Sequence, residues 1–177
     1  MDRTALLLAA CAAAASALPA HAGISPQAQA VVARWIGATG GRDAFLADTA
    51  LHVQGKLGAG GMHGRFEWWS QGPTRLLAVE TVGTVRVRDG YDGAAGWRTD
   101  LTSHKVAPLQ DKDLEAIAAD AWFASEQWAR DDQGGGRVWH GQTAYTEGRS
   151  MIALDVTPPV GPERTLWSTP GPACSRA

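Results

Sequence analysis

The chain has 177 residues, 16 basic against 18 acidic side chains for a formal net charge of -2, and 45% hydrophobic residues. That near-neutral balance argues against a nucleic-acid partner, which would normally leave a basic stripe, and no run of like charges suggests a tail for an anionic membrane. There are two cysteines, Cys11 close to the start and Cys174 close to the end.

Met1-Asp2-Arg3 supplies a short charged start, residues 5–18 carry no charge, and Ala20-His21-Ala22 is a small-x-small cleavage signature. Residues 1–22 therefore read as a cleavable secretory signal, which places the chain in the periplasm or outside the cell. A membrane-spanning helix needs about 20 apolar residues, and Pro19 and His21 end the run too early, so no integral membrane segment is expected after cleavage. Leu8-Ala9-Ala10-Cys11 also fits a lipoprotein box with a lipidated Cys11, although only about seven apolar residues precede it. Removal of the signal leaves 155 residues, the size of one domain, and an unchanged net charge. Cys11 leaves with the signal, so the mature chain has no intramolecular disulfide and must take its stability from the core.

Ser25-Pro26 opens a helix, because serine can cap free amides and proline at the first helical position gives up no hydrogen bond. Ala28, Val31, Val32, Trp35 and Ile36 follow at spacings of three and four, one apolar face. Gly37 and the Gly40-Gly41 pair stop it, and a short helical turn is expected over residues 43–47. From Ala50 the period becomes two: Leu51, Val53, Gly55 and Leu57 alternate with His52, Gln54 and Lys56. Turns rich in glycine and proline then separate predicted strands at 62–71, 75–82, 84–89, 97–101 and 104–108. Connections this short cannot make parallel crossovers, so the segment reads as an antiparallel meander. A second helix is expected from Asp111, with the Asp111 carboxylate as its cap and Leu114, Ile117, Ala121, Trp122, Ser125 and Trp128 along one stripe. Gly134-Gly135-Gly136 ends it, and strands are predicted at 137–146, 150–157 and 163–167. The expected fold class is α+β: one curved antiparallel sheet with two main helices lying across its concave face, around an apolar interior suited to a small hydrophobic ligand.

His52, His63, His104 and His140 stand singly on strands, outside any H-x-H, H-E-x-x-H or C-x-x-C context, so no metal and no cofactor are expected. His52 and His63 are the one pair that could meet across the first hairpin. Residues 89–97 are dense in acids and glycines but lack the alternating ligands and closing glutamate of a calcium loop, and read as a tight turn. Ser103, Ser125, Ser150 and Ser168 lack a G-x-S-x-G setting, and no Asp-Thr-Gly or Asp-Ser-Gly triplet occurs. Catalytic residues are therefore assigned to no position. The aromatic composition stands out instead: eight tryptophans against two tyrosines and three phenylalanines. Trp35, Phe66, Trp68, Trp97, Trp122 and Trp128 are the candidates to line an apolar cavity, and the same residues would serve equally as ordinary core.

Several phrases carry a family resemblance: the helix ending before Gly40-Gly41, Phe66-Glu67-Trp68-Trp69 followed by Pro73-Thr74-Arg75, Gly90-Tyr91-Asp92-Gly93 through Gly96-Trp97, and Leu154-Asp155-Val156-Thr157-Pro158. Together, over residues 25–167, they resemble the outer-membrane lipoprotein-carrier superfamily of LolA-like half-barrels. More narrowly, they are similar to the LolA-like N-terminal region of exported proteins with a retropepsin-like aspartic protease module downstream. The resemblance implies an incomplete half-barrel over residues 23–167, non-enzymatic in itself, that binds lipid, an acyl chain or a lipoprotein. It makes Arg65 and Arg75 the candidates for the carrier's interior arginine. It also implies an alternative: an accessory domain cut off before its catalytic module. The tail at 168–177 departs from the family pattern, and codons for Ser-Thr-Pro-Gly-Pro-Ala-Cys read one base out of register can spell Phe-Asp-Pro-Gly-Thr-Gly-Leu, which fits a frameshift after Trp167.

Overall fold

The computed structural model describes residues 23–146 and 148–169; the leader with Cys11 and the chain after Thr169 with Cys174 lie outside the described residues. The described chain is α+β and mostly strand, with three α-helices, two sheets and no closed barrel. Two sheets replace the single sheet expected from the sequence. Strands β2 (Ala50–Ala59), β3 (Met62–Gln71), β4 (Arg75–Val82), β5 (Val85–Tyr91), β6 (Gly96–Asp100) and β7 (Lys105–Leu109) form a six-stranded antiparallel meander in chain order. Strands β8 (Arg137–Thr146), β9 (Arg149–Thr157) and β10 (Arg164–Ser168) form the other sheet, completed by the two-residue β1 (Gly23–Ile24), which pairs with β8 in parallel. The antiparallel expectation fails only there, since the long excursion between β1 and β8 removes the short-connection constraint.

Helix α1 (Pro26–Ala38) begins where its sequence says it should, and buries Ala28, Val31, Val32 and Ile36. Its cap does more than close the helix. The Ser25 hydroxyl oxygen accepts from the Ala28 amide at 3.3 Å and from the His140 amide of β8 at 3.1 Å. His140 sits at the start of a register shift between β8 and β9, where the ladder is irregular, so the side chain of Ser25, just after β1, completes it. Ser25→Ala is expected to cost about 1–3 kcal/mol, the loss of a cap plus an amide left without its acceptor. Urea denaturation would measure it; a change below about 0.5 kcal/mol, the size usual for surface substitutions, would show that both amides find water.

Helix α2 (Arg42–Ala47) contributes Phe45 to the core beneath α1. Helix α3 (Asp111–Ala124) differs from expectation at both ends. Its N-cap is Gln110, whose carbonyl accepts from the Asp113 and Leu114 amides; Asp111, the cap expected from the sequence, is instead the first residue of the element and takes a left-handed φ of 47°. At the other end the helix stops at Ala124, and Glu126 takes a left-handed conformation (φ 54°) that starts a short 3-10 turn, Gln127–Ala129. The expected single stripe therefore splits. Ile117 and Ala121 pack with Leu76 and Leu109 against the six-stranded sheet, with Leu114 half-buried beside them. Trp122 and Trp128 turn instead into the larger core formed by α1, α2, Val138, Leu154 and Val156. Helix α3 thus holds one sheet with one side and the second core with the other. Gly161 shows how closely the chain passes it: with φ +91°, a β-carbon there would lie 2.7 Å from the Glu115 carbonyl oxygen and 2.8 Å from the Ala119 methyl.

Candidate functional site

Strand register divides the six-stranded sheet into two faces, since side chains alternate. One face carries Leu51 and Val53 of β2, opposite Ser70 and Trp68 of β3, and next to these Leu76 and Ala78 of β4. Helix α3 lies on this face. Where the helix ends, it leaves β2 and β3 partly uncovered. A hollow of about 210 Å³ opens there, lined by Leu51, Val53, Phe66, Trp68, Ser70, Phe123, Ala124 and Glu126. A second of about 230 Å³ shares Leu51, Ser70, Ala124 and Glu126 and runs on past Pro73 and Asp48 to Arg130. The two form one groove with an apolar half and a polar half.

The apolar half is built from β2 and β3 by close packing. Phe66 folds over Gly55, where a β-carbon would come within 2.6 Å of its ring, and its ring lies 5.0 Å from that of Trp68. Ser70 donates to the Ala124 carbonyl at 3.3 Å, tying the groove floor to the last residue of α3. At the polar end the Arg130 guanidinium stands 5.3 Å from the centre of the Phe45 ring and donates to the Asp48 carbonyl at 3.4 Å.

Of the six aromatic residues singled out from the sequence, Phe66 and Trp68 line this groove. Trp35, Trp122 and Trp128 belong to the closed core, where Trp35 lies 5.0 Å from Trp128 and 5.6 Å from Phe45. The Trp122 indole donates to the Gly134 carbonyl at 3.1 Å, which satisfies its one polar atom inside that core. Trp97 stands on the opposite face of the sheet, flat over Gly90, where a β-carbon would lie 2.3 Å from its ring. The groove residues not anticipated are Leu51, Val53, Phe123 and Arg130; Leu51 and Val53 carried a signal in their alternation, whereas Arg130 carried none. Arg65 and Arg75 do not reach the groove, because their strand positions point them to the face away from α3.

The His52–His63 pair does not form. Register places His52 opposite Trp69 and His63 opposite Gly58, six residues further along β2, which is roughly 20 Å of strand. His52 stacks on Trp69 at 4.9 Å and its Nε2 lies 2.9 Å from Glu67 Oε1. Among the described residues no group of three or more His, Cys, Asp or Glu side chains is arranged to hold a metal ion. The acidic loop between β5 and β6 is a turn closed on itself: Asp92 Oδ1 accepts from the Ala94 and Ala95 amides at 2.9 and 2.8 Å. These bonds, Ala95 first, hold the Asp92 carboxyl below its ordinary value of 3.8. A lowered folded pKa means that the turn's contribution is present above 3.8 and disappears as pH falls through the lower folded value. Carboxyl titration by NMR should therefore give Asp92 a midpoint below 3.8; a midpoint at or above it would mean that the two amides are not bonded in solution.

No family model, no curated protein and no solved structure matches this chain. Among the described residues no helix is long and apolar enough to cross a membrane.

Proposed function

We propose that this chain is a periplasmic, non-enzymatic domain that binds lipid, the acyl chain of a lipid, or a lipoprotein in the groove at the end of α3, as an open half-barrel whose concave side is the α3-bearing face. The observation that carries this reading is the uncovered strip of Leu51, Val53, Phe66 and Trp68 beside Phe123 and Ala124. The two hollows together fall within the range of about 300–1,000 Å³ usual for ligand pockets. An apolar floor with Arg130 at one end suits an amphiphile, each buried methylene contributing about 0.8 kcal/mol. The test is mass spectrometry of solvent extracts of the purified chain, paired with titration by a fluorescent fatty acid. Co-purified lipid and saturable binding are expected; neither would leave the accessory-domain alternative as the reading to pursue.

A further inference from the structure

The face of the six-stranded sheet turned away from α3 is organised in rows by strand register. One row crosses β2 to β5 as Lys56, Arg65, Thr81 and Arg86, each residue directly opposite the next. Arg88 stands two positions along β5, on the same face, and a depression of about 450 Å³ opens beside Arg65 and Arg86. All four basic side chains are exposed, and none has an ion-pair partner among the described residues. Toward the other end of the same face runs an apolar row: Trp69, Leu77, Gly90, Trp97 and Pro108, in register from β3 to β7. Of the acids on these strands, Glu80, Asp89 and Asp100 fall on the α3 side, where Asp89 binds Arg98 with two bonds of 2.7 and 2.6 Å, and Glu67 alone stands on the basic face, where it is held by His52 at 2.9 Å. The sheet thus separates charge across its thickness, which the net charge of -2 conceals.

We propose that this face docks on a bilayer surface containing anionic phospholipid. Lys56 opposite Arg65 is a like-charge cross-strand pair, an arrangement that costs stability unless an anion lies over it. A plane of lipid phosphates supplies that anion to the whole row at once, and guanidinium groups match phosphate geometry. Tryptophans on the same face as the basic row, one row beyond Glu67 and Val79, suit the headgroup level of a bilayer, where one end of the ring is apolar and the other wet. The row lacks the locked, paired side chains that would select one shaped protein partner. The inference is independent of the groove, which opens on the opposite face.

The test is co-sedimentation of the purified chain with phosphatidylcholine vesicles and with phosphatidylcholine–phosphatidylglycerol vesicles, at low and high salt. Binding to the anionic vesicles alone is expected, lost at high salt because exposed charges are screened. The triple variants Lys56→Gln/Arg65→Gln/Arg86→Gln and Lys56→Glu/Arg65→Glu/Arg86→Glu should each weaken it by about tenfold or more while keeping the far-ultraviolet spectrum. Quenching of tryptophan fluorescence by spin-labelled lipid should fall in the Trp69→Phe/Trp97→Phe variant. Equal binding to neutral vesicles, or full binding by the triple variants, would overturn the proposal. So would equally tight association with polyglutamate or duplex DNA, which would assign the face to polyanions at large. A groove-blocked Val53→Trp protein should still sediment, so failure of the groove reading leaves this one standing.

Discussion

Trp128→Ala is expected to lower stability by about 3–5 kcal/mol, the usual cost of emptying a tryptophan site in a packed core. The ring is 8% exposed and contacts Trp35, which in turn packs edge-on against Phe45 from α2. Its backbone sits in a 3-10 turn entered through left-handed Glu126, so the surrounding chain has little freedom to close over the void. For a domain of this size the loss corresponds to a melting temperature lower by roughly 10 °C. Thermal unfolding followed by circular dichroism would measure it, with Trp167→Ala as the control: Trp167 is 52% exposed, and its removal should change stability by no more than about 0.5 kcal/mol. Equal shifts in the two variants would mean that Trp128 does not anchor the core.

Val53→Trp is expected to abolish high-affinity binding of a long-chain fatty acid probe while the protein stays folded. Val53 is half-buried, lies opposite Trp68 and lines the apolar half of the groove, so an indole there enters open space rather than a packed interior. A chain denied four methylene positions loses about 3 kcal/mol, roughly a hundredfold in affinity. The cost of the larger side chain to folding should stay within about 1–3 kcal/mol. Val53→Ala enlarges the same site and should leave affinity within a few-fold. Probe titration against both variants checks the pair. Unchanged affinity in Val53→Trp, with a folded protein, would move the ligand out of this groove.

Local signals carried most of the secondary structure. Serine followed by proline, then apolar residues at three and four, can do little but start a helix, and α1 runs from Pro26 as that pattern requires. The period-two run from Ala50 and the glycine-rich turns after it mark the six-stranded meander, because a strand alternates its faces and short connections force antiparallel neighbours. The end of α3 was not legible. Trp122, Ser125 and Trp128 follow at steps of three and so read as an extension of a helical stripe, but the left-handed Glu126 swings Trp128 into a 3-10 turn. Arg130, at the mouth of the groove, follows that turn and had no pattern to mark it.

What the sequence determined by itself was therefore element type and the alternation of faces, both set by interactions within a few residues. Which face met which partner was decided only by tertiary structure. Lys56, Arg65 and Arg86 are scattered over three strands and form no basic run in the chain, yet register brings them into one row. The groove has the same origin: β2 and β3 present an apolar strip of ordinary alternation, and it stays partly uncovered because α3 stops at Ala124. Burial and charge density depend on distances between residues far apart in sequence, and no local pattern specifies where a covering element ends.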